Sequence, residues 1–319
     1  DYREIVLSVL RNLSVALLIS LIIITLQVPL LNLINHFFNN STETQSLIKR
    51  YISIRVWSAP AELSIYVLAG LYIGLQKTKV SSFLLSTFSI LNIIFSYYFV
   101  VNLELNIYGV ALGTVLSAYL SVAIFLIFSF FYIRNKFNII PRYRKIFISK
   151  KLLDLFNINF DIFIRTVLLT FSFLWFIYQS SKVSEDYLAA NTILLQFIML
   201  ASFFLDSYAH STEGVIGYSL GRKVKKSFLL AVSNSFRLSL ITGFIISIIY
   251  LLFFKNIINL LTDLDYLRFL SYNFFIWIVI IPPIASLCYQ YDGIFIGSSQ
   301  TKDMRNSMIV SFIVFIFVS

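Results

Sequence analysis

The feature that most constrains this chain is a succession of apolar runs, each about 20 residues long, separated by short polar breaks. A run of that length crosses the hydrocarbon of a bilayer as a helix, and nothing shorter than a closed barrel offers the backbone an alternative there. Nine candidate spans can be read: residues 12–35, 51–75, 80–102, 107–133, 160–180, 187–219, 227–254, 269–297 and 304 onward. Only 13% of the 319 residues are charged and 59% are hydrophobic, whereas a soluble domain is about 25% charged. An ordinary water-soluble fold is excluded, and the sequence predicts an all-α polytopic membrane protein. No signal-peptide pattern precedes the first run, so it is expected to be a true span. The opening at Asp1 and the close inside an apolar run suggest a piece of a longer protein.

The 25 Lys and Arg against 15 Asp and Glu carry topological information. One set of alternate loops holds Arg3, Arg11, Lys77, Lys79, the series from Arg134 to Lys151, Arg222 to Lys226, and Lys302 with Arg305. The opposite set holds only Lys49, Arg50, Lys182, Lys255 and Arg268, together with most of the loop acids. Basic residues near span ends are retained on the cytoplasmic side, which orients the chain. The charge is thus distributed over connectors and not gathered on a folded surface with interleaved aromatics, so no nucleic-acid partner is expected. The bilayer itself is the expected surrounding.

Two stretches share the pattern P-x9-G-x2-I-G-x3-T-K. Pro60, Gly70, Ile73, Gly74, Thr78 and Lys79 correspond to Pro283, Gly293, Ile296, Gly297, Thr301 and Lys302. They fall on the second and eighth spans, an even number apart, so both copies run the same way through the membrane. This predicts two parallel, pseudo-symmetric six-helix lobes from a twelve-helix parent: an N-terminal lobe over 1–133, a basic cytoplasmic linker over 134–159, and a C-terminal lobe over 160–319. Pro60 and Pro283 are expected to bend their helices. The Gly70/Gly74 and Gly293/Gly297 pairs are expected to let a neighbouring backbone approach.

Ionisable groups inside spans are costly, so each is a functional candidate. Asp206, His210 and Glu213 recur at i, i+4 and i+7 and share one helix face. That pattern suits a coupling ion, or alternatively mutual pairing with Arg165. Arg165 lies one turn from Asp161. Asp292 precedes Gly293, Glu62 follows Pro60 by two residues, and Asn92 and Thr114 are polar positions on the third and fourth spans. His-x2-Glu is compatible with a metal, yet the other histidine, His36, lies in an outward loop, so no metal site is expected. The single Cys288 excludes a disulfide framework. No G-x4-G-K-[ST] loop and no catalytic triad is present, so neither an ATP-driven pump nor an enzyme is expected, and no cofactor.

The stretches Ile54–Pro60, Gly70–Gln76 and Gly109–Thr114, then Leu188–Asn191, Leu195–Phe197, Leu205–His210 with Glu213, Asp292–Gly297 and Met304–Met308 resemble the multidrug and toxic compound extrusion (MATE) transporters, in particular the DinF branch. The resemblance implies two six-helix lobes forming a V, with these helices as the third to eleventh of twelve. It also implies antiport of organic, often cationic, compounds against H+ or Na+ in a bacterial plasma membrane, by a monomer and without ATP. In such relatives a proton-responsive cavity uses an Asp on the first helix, Asn-x3-Asp on the fifth and a Thr on the sixth. Asn92 and Thr114 match, and Ser96 stands at the second Asp position. Three readings follow: the first-helix residue carries coupling alone, coupling has moved to Asp206 and Glu213, or this member is not proton-coupled in the usual way. Two other readings compete with antiport: a lipid-linked oligosaccharide flippase of the same superfamily, which calls for more embedded cations than Arg165 and Arg237, and a non-transporting receptor or membrane enzyme.

Overall fold

A computed structural model describes residues 2–29, 31–32, 42–137 and 149–319. His36 and the linker cations Arg142, Arg144 and Lys145 lie outside the described residues. The described chain is helical: α1 (Tyr2–Thr25), α2 (Thr42–Arg55), α3 (Ala59–Gly74), α4 (Thr78–Tyr97), α5 (Asn106–Phe137), α6 (Ser149–Val183), α7 (Glu185–Gly221), α8 (Lys225–Leu261), a short α9 (Asp265–Tyr272), α10 (Phe275–Gly297) and α11 (Thr301–Val318). Among them eight segments are long and apolar enough to cross a bilayer, with α2 and α3 counted together. The ninth expected span, α11, forms a helix but falls outside that set, because Lys302, Asp303 and Arg305 crowd its first turn. Within the expected linker the described residues 134–137 and 149–159 are helical. α5 continues to Phe137 and α6 begins at Ser149, since charged residues prolong a helix beyond the hydrocarbon as readily as they form a loop.

The chain divides into two compact units, Asp1–Leu152 and Leu153–Ser319, with the boundary inside α6. In the first unit, Ala61, Ile65 and Leu68 of α3 pack with Leu84 of α4 and Ala118 and Phe125 of α5. In the second, Leu194, Phe197 and Ala201 of α7 pack with Ile246, Tyr250 and Phe254 of α8 and Ile278 of α10. Tyr250 buries its ring there and donates its hydroxyl to the Phe197 carbonyl at 2.6 Å, which satisfies the one polar atom it brings into the core.

Both copies of the sequence pattern end in the same helix-terminal turn, one that α7 also adopts after Gly221. α3 ends with Leu75, Gln76 and Lys77 donating to the carbonyls of Leu71, Ile73 and Tyr72 at 3.0, 2.9 and 2.7 Å. α10 ends with Ser298, Ser299 and Gln300 donating to Ile294, Ile296 and Phe295 at 2.9, 3.0 and 2.8 Å, the same offsets. Gln76 and Ser299 both adopt φ 58°, the left-handed residue that such a helix end requires.

The prolines act differently. Pro60 stands in the first turn of α3, after a 3₁₀ turn over Val56–Ser58, where a missing N–H costs nothing. Pro282 and Pro283 lie inside α10. Pro283 leaves the Val279 carbonyl without its in-helix donor, and Ser247 of α8 supplies one at 2.5 Å. Gly243 admits this approach: a Cβ there would stand 2.9 Å from the Pro282 oxygen.

Candidate ion and substrate site

α7 is set by its start. Ser184 is extended, its side chain accepts from the Tyr187 amide at 3.2 Å, and Glu185 and Asp186 occupy the positive end of the helix. From there the helix carries Asp206, His210 and Glu213 onto one face. His210 lies 3.4 Å from Asp206 and 3.3 Å from Glu213, bridging the two carboxylates. Asp206 and His210 are about half exposed, whereas Glu213 is 20% exposed.

The backbone behind that face is clamped by α10. A Cβ at Gly293 would stand 2.5 Å from the Ala209 oxygen, and one at Gly297 would stand 2.7 Å from the Glu213 oxygen. Thr212, between them, donates to Gln290 of α10 at 2.8 Å in a fully buried bond. Gly70 and Gly74, identical in sequence pattern, meet nothing within 4 Å, so the close approach expected at that pair is absent among the described residues. A glycine pair permits a contact, and only the neighbouring helix supplies one.

The charges on α6 do not pair with each other despite their spacing. Arg165 forms an ion pair with Asp292 of α10, each side chain 24% exposed, and also lies within electrostatic range of Asp206 and Tyr289. Its ion-pair partner is thus on another helix, not Asp161 one turn away. Asp161 is buried and held by α11: Arg305 Nη1 reaches it at 2.6 Å and Thr301 donates to it at 3.1 Å. Sequence reasoning missed the Asp161–Arg305 and Thr212–Gln290 contacts. A buried acid in a span was the available signal for the first, but its partner is 144 residues distant.

Outward along the same four helices lies a cavity of about 510 Å³. Its walls include Phe173 and Phe176 of α6, Leu195 and Ile198 of α7, Trp277 and Ile281 of α10 and Phe315 of α11, with Asn191 and Ser172 as polar positions. Helical periodicity places it in line with the charges. Leu169, Ser172 and Phe176 follow Arg165 at i+4, i+7 and i+11, and Asn191, Leu195 and Ile198 precede Asp206 at matching intervals. The volume is in the range of pockets that bury drug-sized molecules, and the lining is the apolar kind they use.

The first unit offers less. Asn92 donates to Thr114 Oγ1 at 2.8 Å, and Thr114 in turn donates to the Val110 carbonyl at 3.0 Å. Ser96 lies against Gly113, where a Cβ would stand 2.6 Å from its Oγ. Here α4 ends in a π-helical turn, Tyr98–Asn102, seated on Gly109. Glu62 forms an ion pair with Arg55, whose Nη2 donates to Oε2 at 3.1 Å while Nη1 lies 2.6 Å from Oε1, and Arg55 also meets the Ser58 hydroxyl. These two charges line a second cavity of about 390 Å³ with Gln27 and Tyr66. Among the described residues no group of three or more His, Cys, Asp or Glu is placed to hold a metal ion.

Long apolar helices with carboxylates on one face, beside an apolar cavity, are the attributes of a polytopic transport-type fold. The sequence profile of the MatE family matches residues 1–98 and 162–319, and the chain belongs to that family. DNA damage-inducible protein F of Escherichia coli K12 is 30% identical over 304 residues, covering 95% of this chain and 66% of the relative. Protein DETOXIFICATION 43 of Arabidopsis thaliana is 23% identical over 268 residues, covering 82% and 48%. The chain thus spans just under two thirds of the first relative's length and about half of the second's. Among solved structures, a MOP superfamily transporter from Pyrococcus furiosus aligns with a TM-score of 0.80 at 16% identity, over 92% of this chain and 68% of that one. A Vibrio cholerae MATE transporter aligns at 0.81 and 18%, over 95% and 67%. These two likenesses establish the fold.

Proposed function

We propose that the protein is a secondary antiporter, which exports small organic molecules from a bacterial cell across the plasma membrane in exchange for H+ or Na+ by alternating access. Residues 1–133 then belong to the N-terminal lobe, as counterparts of the third to sixth helices, and 160–319 to the C-terminal lobe, as counterparts of the seventh to eleventh. Membership of the MatE family supports transport, and the names of relatives point toward toxic compounds.

The observation that carries the coupling site is the state of the carboxylates. Among the described residues Glu62, Asp161 and Asp292 each form an ion pair with an arginine, whereas the ion-pair partner of Asp206 and Glu213 is the shared His210. Two carboxylates inside a bilayer that share one histidine exchange a proton or an inorganic cation more readily than one locked to a guanidinium. In the first unit Asn92, Ser96 and Thr114 form a helix seam, with Ser96 pressed on Gly113, which argues for coupling on α7. The apolar cavity on the same faces receives the body of the substrate.

The test is dye efflux from proteoliposomes carrying the protein, with a pH gradient and a Na+ gradient imposed separately. Asp206→Asn is expected to abolish gradient-driven efflux. Wild-type efflux by that variant under both gradients would remove α7 from the coupling mechanism.

A further inference from the structure

α8 carries a cation that the protein leaves without a partner. Arg237 is exposed, and among the described residues it has no ion pair, hydrogen bond or ring contact. Arg11 stands at the like place in α1, near the start of its span, and differs in both respects. It is 3% exposed and lies 3.5 Å from Glu4, two turns earlier on the same helix. Two turns before Arg237 the residue is Leu230, which offers the guanidinium no carboxylate.

Arg237 lies on the face of α8 turned away from its packing partners. Ser239, Gly243 and Ser247 meet α10, and Tyr250 meets α7. Leu230, Ser233, Arg237, Ile241, Phe244 and Ile248 recur at helical intervals and are all exposed, forming one stripe. Its chemistry changes at Arg237. Toward the helix start lie Ser233, the adjoining Asn234 and, three turns back, Lys226, none with a hydrogen bond or ion pair among the described residues. Beyond Arg237 the stripe is apolar. No charged residue occurs between Arg237 and Lys255, a length of about 27 Å at about 1.5 Å per residue, close to the roughly 30 Å of bilayer hydrocarbon. Arg237 thus stands at one hydrocarbon boundary, where a guanidinium facing lipid calls for an anion. An anionic phospholipid answers each group of the stripe. Its phosphate suits Arg237 with Ser233 and Asn234 as flanking donors, its net negative headgroup suits Lys226, and an acyl chain suits Ile241, Phe244 and Ile248.

We propose that this stripe of α8 is a binding site for an anionic phospholipid, anchored through its phosphate on Arg237, in the leaflet on the side of the basic turns. The lipid supplies the counter-charge that Glu4 supplies to Arg11. The site is distinct from the α7 carboxylates and does not depend on their role in coupling.

The probe is phosphatidylglycerol with a photoreactive diazirine on one acyl chain, at trace level in phosphatidylcholine liposomes holding the intact protein. After irradiation, peptide mass spectrometry locates and counts the adducts, which are expected between Ile241 and Ile248. Arg237→Gln is expected to lower them about fivefold, the worth of one cation at an anionic lipid surface, whereas Arg237→Lys keeps most of them. Leu230→Glu retains Arg237 but gives it the internal partner that Arg11 has, and should lower the adducts comparably; it decides the matter if Arg237→Gln does not fold. Excess unlabelled phosphatidylglycerol should displace the probe, and inorganic phosphate at equal ionic strength should not. Phosphatidylcholine bearing the same diazirine should label the stripe several-fold less. Wild-type labelling in either folded variant, equal labelling by the two headgroups, or no α8 adducts in the wild type overturns the proposal. Displacement by inorganic phosphate also overturns it and assigns Arg237 to a free anion instead.

Discussion

Ser247 of α8 donates its hydroxyl to the carbonyl of Val279 on α10 at 2.5 Å, the carbonyl that Pro283 leaves without a donor. In hydrocarbon such an oxygen has no water to turn to. Ser247→Ala is therefore expected to destabilise the second unit by about 1–3 kcal/mol, the cost of an orphaned buried acceptor. Pro283→Ala restores an in-helix donor, so in that background the serine should matter little. An equal loss in both backgrounds, measured by thermal unfolding in detergent, would disprove the coupling.

The two Gly-x3-Gly pairs should respond to the same substitution with opposite sign. Gly293→Ala and Gly297→Ala drive a methyl into the α7 backbone and are expected to cost about 1–3 kcal/mol. Gly70→Ala meets open space, and the better helix propensity of alanine should stabilise the first unit by up to about 1 kcal/mol. Melting temperatures that fall together in all three variants would contradict the asymmetry.

That asymmetry also marks how far one sequence could be read. Span positions follow from apolar runs because the bilayer imposes length and leaves the backbone few options. The helix-end turns after Gly74 and Gly297 were legible through the shared pattern, and the face bearing Asp206, His210 and Glu213 through the helical period. What lies across from a residue was not legible. Spacing matched Arg165 with Asp161, whereas packing gave Asp161 to Arg305 and Arg165 to Asp292. Proximity along a helix is a weak attraction, worth a few tenths of a kcal/mol, and long-range partners override it. The cavity beside α7 was equally hidden, because its walls come from four helices.

Asp161 and Asp206, both acids within spans, are expected to separate by phenotype. Asp161→Asn strands Arg305 in a partly buried position and should lower stability by about 3–5 kcal/mol, with transport lost through unfolding. Asp206→Asn should leave the melting temperature nearly unchanged while transport fails. Parallel measurement of melting and proteoliposome efflux distinguishes them, and comparable melting losses in both would refute the assignment.

Filling the apolar cavity tests whether substrate uses it. Leu195→Trp adds bulk within the roughly 510 Å³ space without touching a charged group. Efflux of a bulky dye is expected to drop several-fold while that of a small cation such as tetramethylammonium persists, since pocket volume discriminates by size. Equal efflux of the bulky dye by variant and wild type would show that the substrate lies elsewhere.

Gln76 and Ser299 have unlike side chains but the same left-handed backbone and the same three carbonyl partners in their respective turns. Lys223 repeats the turn at φ 56° at the end of α7, outside the duplicated pattern, so such a bend asks of its apex only a left-handed backbone and leaves the side chain open.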